Sequence, residues 1–333
     1  MTQVILILVF SMHLLLVNVA MAGPLVALVL RRRQVRHADA LAGSLGLELI
    51  HAALACLVAG LLLGAGLLAL VWHNAPGTYV TALRAVPASR YWFGLGELVF
   101  YVLCMGLIAW RWNRTRRSVA ISIFAVLAAT DLMFHFPPLF TIIAVVAERP
   151  EMLRRTIDRS TYYRLMLDGE VLARVLHVWL ASLAVTGVAV CVMAARRSAR
   201  EASPRSDAHV CRLGAGLALV TTVLQLPVGL WVLFMLPENA RTSLLGRDVL
   251  ATGMFALAVL LTLHLLYVLA VIALGETDTK KVREAALATV AIAVLMTGSL
   301  HRVEGRTSLG ESGRSQPSVT QTFAYTKVES HEA

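Results

Sequence analysis

The sequence predicts an all-α membrane protein, a polytopic helix bundle of about eight transmembrane helices with its N-terminus outside. Three observations carry this. Of the 333 residues, 58% are apolar and only 15% charged, where a soluble domain averages roughly 45–50% apolar. The mean hydropathy is +0.73. The apolar residues fall in continuous runs rather than alternating ones, which favours helices over a barrel. A span takes about 20–25 residues, so the apolar content suffices for about eight, with little left for a soluble core. An ordinary globular enzyme, a disordered chain and a disulfide-stapled secreted module are excluded.

The runs fall at about 3–30, 41–72, 91–110, 118–147, 171–194, 213–236, 249–274 and 282–300. Each is long enough, or nearly so, to cross about 30 Å of hydrocarbon at about 1.5 Å per residue. The first carries a small-x-small site, Ala20-Met21-Ala22, as a signal peptide would. It has no Lys or Arg before it, however, and it continues to Leu30 before stopping at Arg31-Arg32-Arg33, so it reads as an uncleaved span. The stretch 79–90 reads as a short interfacial helix. In the fourth run, Pro137-Pro138 must break or kink the helix. Residues 1–300 form one bundle, and the polar, Ser/Gly-rich tail 301–333 is expected to be disordered.

On a soluble protein the net charge of +10 would suggest nucleic acid. Here it sets topology instead. Loops 31–40, 111–117, 195–212 and 275–284 hold 16 Lys and Arg, against nine in 73–90, 148–170 and 237–248. Positive-inside therefore places the first group in the cytoplasm and the N-terminus outside. Five of the six Trp lie near run ends, like an aromatic belt, and Trp179 is the exception, deeper in its run. No phosphate-binding or dinucleotide Gly pattern, internal repeat or CxxCH site is visible, and the four Cys read as small core residues.

The chemistry lies in groups the bilayer ought to exclude. Glu48, Glu97 and Asp131 are acids inside runs; His13, His51, His135, His177 and His264 are histidines there. Each ionised group costs about 2.5–3.5 kcal/mol at mid-membrane even on a lenient scale, so these groups must face one another, water or a cofactor. His177 and Met254 both lie about five or six residues from the outer ends of their runs. A His and a Met at one level form a low-spin haem b ligand pair. Arg174, one turn outward, can neutralise a propionate, and Ala181, Ser182, Ala184 and Gly187 leave room for a macrocycle or for close helix packing. His13, Glu97 and His135 form a second group about ten, six and twelve residues deep. A His and a carboxylate there can ligate a high-spin haem and leave a position open for a small gas. Glu48, His51, Asp131 and Glu97 are candidates for a proton relay from inside. The plainer alternatives are hydrogen-bonded packing histidines, notably His264 and His51, a Glu48 that snorkels or pairs, and a Met254 that is merely one of 11 methionines.

Several stretches resemble subunit I of cytochrome bd-type quinol oxidases, in order, over about residues 5–275. FSMHLLLVNVAMAGPLVALVL is similar to that family's first helix, LGLELIHAALACLVAGLLLG to its second, and ARVLHVWLASLAVTGV to the helix with a basic residue three before a haem-ligating His. Glu97 in WFGLGELVFYVLCMGL matches one of two helix-three carboxylates, and Asp131 in AATDLMFHFPP a polar position of the fourth helix. The resemblance implies that His13 ligates haem. It makes His177 and Met254 the ligands of a low-spin haem b with Arg174 beside it, and Glu97 a residue near further high-spin haem b or d. It further implies electron transport from a quinol to oxygen in the bacterial inner membrane, beside a second membrane subunit.

The sequence departs from the family's pattern in several places. Loop 237–248 replaces a long quinol-binding loop, which makes a periplasmic cytochrome c or a partner subunit at least as strong a candidate donor as a quinol. A Gly-Arg-Gln-Pro-Trp motif, a carboxylate in the body of span eight (where Met296 or His301 stands in its place) and a ninth helix are missing. A shortened, divergent relative is the expectation. Two further readings stand beside it. One is a cofactor-free proton-coupled transporter built on the same buried groups, and the other a structural membrane subunit.

Overall fold

The computed structural model describes residues 2–74, 77–114, 119–153, 156–201 and 204–312. The helices are α1 (Thr2–His37), α2 (Ala40–Asn74), α3 (Thr78–Ala85), α4 (Ala88–Arg111), α5 (Val119–Ala147), α6 (Pro150–Leu153), α7 (Arg159–Met166), α8 (Gly169–Glu201), α9 (Pro204–Met235), α10 (Glu238–Thr242), α11 (Val249–Leu274) and α12 (Thr279–Ser312). Eight of them are long and apolar enough to span a membrane, and no strand occurs among the described residues. The eight coincide with the apolar runs. The four short helices α3, α6, α7 and α10 all lie in loops that the basic-residue count places outside; only α3 has its counterpart in the expected 79–90 helix. Of the tail expected to be disordered, residues 301–312 continue α12, and 313–333 lie outside the described residues.

The chain is built from two halves of the same plan. In the first, α1, α2, α4 and α5 pack in a ring; in the second, α8, α9, α11 and α12 do the same, with α1 against α8 as the main seam between them. Each half begins with its closest antiparallel pair. A Cβ on Gly23 would stand 2.8 Å from that of Ala53, and one on Gly187 only 2.6 Å from the Gly214 carbonyl oxygen. These contacts are the small-residue packing that association in lipid relies on. No repeat is visible in the sequence, so the likeness of the two halves is read from their packing order.

Two prolines inside helices explain two long polar contacts. Pro has no N–H, so the carbonyl four residues earlier loses its helical partner. Pro24 frees the carbonyl of Ala20, and Tyr101 of α4 donates its hydroxyl to it at 2.7 Å. Pro137 frees that of Met133, and Trp179 of α8 donates its indole N–H there at 2.8 Å. This is why Trp179 lies deep in its span, away from the interfacial belt. With that carbonyl satisfied, α5 runs through Pro137-Pro138 as one helix rather than breaking. Tyr101→Phe leaves the Ala20 carbonyl buried and unpaired; it is expected to lower stability by about 1–3 kcal/mol, read as thermal unfolding in detergent.

At the basic end, α1 turns into α2 through Ala38, in the left-handed region at φ 53°, and Asp39. Asp39 accepts the Ala42 amide at 3.0 Å and Arg33 Nε at 3.0 Å, and meets His209 of α9, tying the second half to the first turn of α2. Burial pushes its carboxyl up, but the Ala42, His209 and Arg33 hydrogen bonds outweigh that and hold it below the ordinary value. The folded-state value is the lower one. The stabilisation is therefore complete above the unfolded aspartate range and is lost as pH falls through the folded value.

Candidate functional site

His177 lies on the outer third of α8, its ring half-buried and its Nδ1 buried with no hydrogen-bond partner. The neighbouring position on α9 is Gly229, where a Cβ would stand 3.6 Å from the ring. Helix α11 runs antiparallel to α9, with Arg212 bonded to the Ala273 carbonyl. Counting back along both helices places Met254 within about one turn of the Gly229 level. Helices α8 and α11 occupy opposite corners of their ring, so the two residues lie on facing helices within about one turn of the same level. The thioether lies over Gly298 of α12, in space that a Cβ there would fill. Arg174, one turn outward of His177, is engaged by two carboxylates. Glu148 takes both guanidinium nitrogens at 3.1 Å and Glu170 takes one at 2.5 Å, while Arg149 holds Glu170 at 2.8 Å. This cluster joins the end of α5 to the start of α8.

His13 lies in the first half, turned toward α2. Its Nδ1 is 2.8 Å from the Gly60 carbonyl oxygen, and Gly64 makes room for the ring. A carbonyl only accepts, so Nδ1 carries the proton and Nε2 of the neutral ring keeps its lone pair. Metal-bound histidines are held in this way, and so are many packing ones.

Glu97 and His135 come together, with His135 Nδ1 2.8 Å from Glu97 Oε2. Asp131 stands one turn from His135 on α5, its Oδ2 buried and without a hydrogen-bond partner. The three line a cleft of about 180 Å³, walled by Phe93, Phe134, Tyr162 and Tyr163. Arg90 lies at its mouth with its guanidinium 4.3 Å from the Tyr162 ring centre and 5.1 Å from that of Tyr163. Burial raises the Tyr162 hydroxyl above its ordinary value; Arg90 and Arg159 hold that of Tyr163 below it. The arrangement is a pair of acids and an imidazole in an aromatic-walled cleft. Such groups can take up, share and release protons.

The other expected relay residues lie elsewhere. Glu48 is half exposed and paired with Arg197 at 3.1 Å, and His51 is exposed on the bundle surface. Among the described residues no hydrogen bond or ion pair connects them to Glu97 or Asp131, nor His13 to either acid. Depth along a helix sets level, not the side of the helix, and that separates these residues. His264 pairs with Glu284 at 2.8 Å on an exposed face. Arg90, Tyr162, Glu148 and Glu170 were not singled out from sequence. All lie in or beside the outer loop segments, where polar residues give no signal.

Among the described residues, no three His, Cys, Asp or Glu side chains are placed to hold a bare metal ion. A porphyrin brings four nitrogen ligands of its own and needs one or two from the protein. The orphaned His177 Nδ1, the Met254 thioether and the glycines facing both are compatible with such a group.

Fold and site together define a polytopic helical membrane protein with two four-helix halves and ionisable residues gathered inside them. No protein-family model matches the chain, and no curated protein matches it in sequence. Among solved structures it is similar to a chain of the bd oxidase from Geobacillus thermodenitrificans, with a TM-score of 0.66 at 13% identity over 92% of this chain and 94% of that one. The likeness is one of fold. It covers nearly all of both chains.

Proposed function

We propose that the protein is a haem-bearing electron-transfer subunit of the bd-oxidase type in a bacterial inner membrane. It would pass electrons from a quinol or a periplasmic cytochrome c to an oxygen-binding haem site, beside a second membrane subunit. The observation that carries this reading is the buried, unpartnered Nδ1 of His177, with Met254 counted to within about one turn of its level on α11. The fold of the bd oxidase chain supports it.

His177 and Met254 would hold a low-spin haem b, and His13, fixed through Gly60, would offer Nε2 to a further haem b or d. Haem supplies reversible one-electron chemistry when bound. Arg174 is already held by Glu148 and Glu170, so it would meet a propionate only by exchanging one of them. Glu97, whose Oε2 is buried without a hydrogen-bond partner, would exchange a proton with His135 by a small reorientation of their 2.8 Å contact, with Asp131 as the next acceptor and the cleft as the way to the outer side. Glu48 and His51 lie apart from this path.

Reduced-minus-oxidised visible spectra and a pyridine haemochrome assay on the purified protein test the proposal. Haem b in stoichiometric amount is the expected result, and its absence would sink the reading. The outward cleft favours a second reading, a proton-coupled transporter with its site at Glu97, Asp131 and His135. Protein without haem that moves protons with a solute would establish it.

A further inference from the structure

The basic end of the bundle holds a second and larger cavity, of about 480 Å³, between the end of α1, the start of α2 and the residues after α4. Its described lining includes Arg31 and Arg114, the side-chain amides of Gln34 and Asn113, and Trp112, and no acid. Arg31 is only 5% exposed. It donates to the Trp112 carbonyl at 2.8 Å and lies 4.8 Å over the Trp112 ring centre. Trp112 is itself fixed by its indole N–H, which donates to the Gly43 carbonyl at 3.0 Å. Arg114 is exposed and rests 4.5 Å over the Trp110 ring centre. The acid nearest in sequence, Asp39, is occupied by Arg33 and His209.

Two guanidiniums and two amides thus line a polar space, with an aromatic wall that holds one guanidinium in place. Guanidinium geometry matches the paired oxygens of a phosphate. Basic pockets between transmembrane helices on the cytoplasmic side bind anionic lipid headgroups. The basic-loop count puts this cavity at that side, level with the headgroups.

We propose that the cavity binds a phosphate group, carried by an anionic phospholipid of the adjoining leaflet. Arg31 is the buried anchor and Arg114 the exposed arm. The inference rests on the membrane-spanning fold and is independent of haem.

The test uses the full-length protein, delipidated in non-ionic detergent, with phosphatidylglycerol, phosphatidylcholine or inorganic phosphate added. Bound lipid is read by native mass spectrometry and stability by thermal unfolding. Phosphatidylglycerol should bind in preference to phosphatidylcholine and raise the unfolding temperature. Arg114→Gln, at an exposed position, should weaken its binding about fivefold. Arg200→Gln, an equal charge change outside the cavity lining, should leave it unchanged. Equal binding of the two lipids, or wild-type affinity in Arg114→Gln, would overturn the proposal. Inorganic phosphate that stabilises the protein as strongly and displaces the lipid would overturn the lipid as carrier and leave the soluble anion in its place.

Discussion

Replacing His177 with alanine is expected to abolish the low-spin haem b signal while leaving the protein folded in the membrane. The ring is half-buried, and it faces Gly229, where nothing bulky packs on it. The cavity created is therefore modest. If His177 holds iron, its loss removes a ligand that Met254 alone does not replace. Even partners one step removed from a metal cost about 10–100-fold in affinity, so loss of the ligand itself should cost at least as much. Met254→Leu should keep the packing over Gly298 but convert the spectrum from low-spin to high-spin. His13→Ala should leave the low-spin band in place. A low-spin band that survives His177→Ala and vanishes in His13→Ala would show that the two assignments are exchanged. Redox titration of each variant separates a lost haem from one with a shifted potential.

The second large effect concerns Glu97. Glu97→Gln keeps the shape of the side chain and removes its ability to carry a proton. Positioned acid–base groups contribute about 10²–10⁴-fold; turnover with oxygen, measured in membranes, should fall by about 100-fold with haem content unchanged. His135→Leu, which removes the other end of the 2.8 Å contact, should act similarly. The double variant should then be little worse than either single one, as for groups that act as a unit. If Glu97→Gln instead loses haem, Glu97 is a ligand and not a proton carrier.

The eight spans were legible because runs of this length and apolarity have few other fates in water or lipid. The aromatic exception at Trp179 was visible too, but its cause was not. Only the packing of α8 on α5 shows that its indole replaces the N–H that Pro137 lacks. The pairing of Glu97 with His135 was half legible. Depth put both in one group, yet it also drew in His13, which the structure turns toward Gly60. Arg174 read as a partner for a propionate, yet it is held by Glu170 one turn earlier on its own helix and by Glu148, 26 positions earlier in a loop; of the two, only the Glu148 contact needed the fold to show it. Within the spans the two-half plan left no visible repeat, since lipid-facing and small-residue positions tolerate exchange so long as volume and apolarity are kept.

That plan bears on how the chain enters a membrane. Each half crosses four times, so the nascent chain returns to its starting side before the second half begins. The basic residues are divided to match. Loops 31–40 and 111–117 hold eight Lys and Arg, and loops 195–212 and 275–284 hold another eight. Each half thus carries its own orienting charge. A four-span ancestor could double in tandem with neither copy inverted and no loop charge rewritten, because an even number of crossings keeps every copy facing the same way.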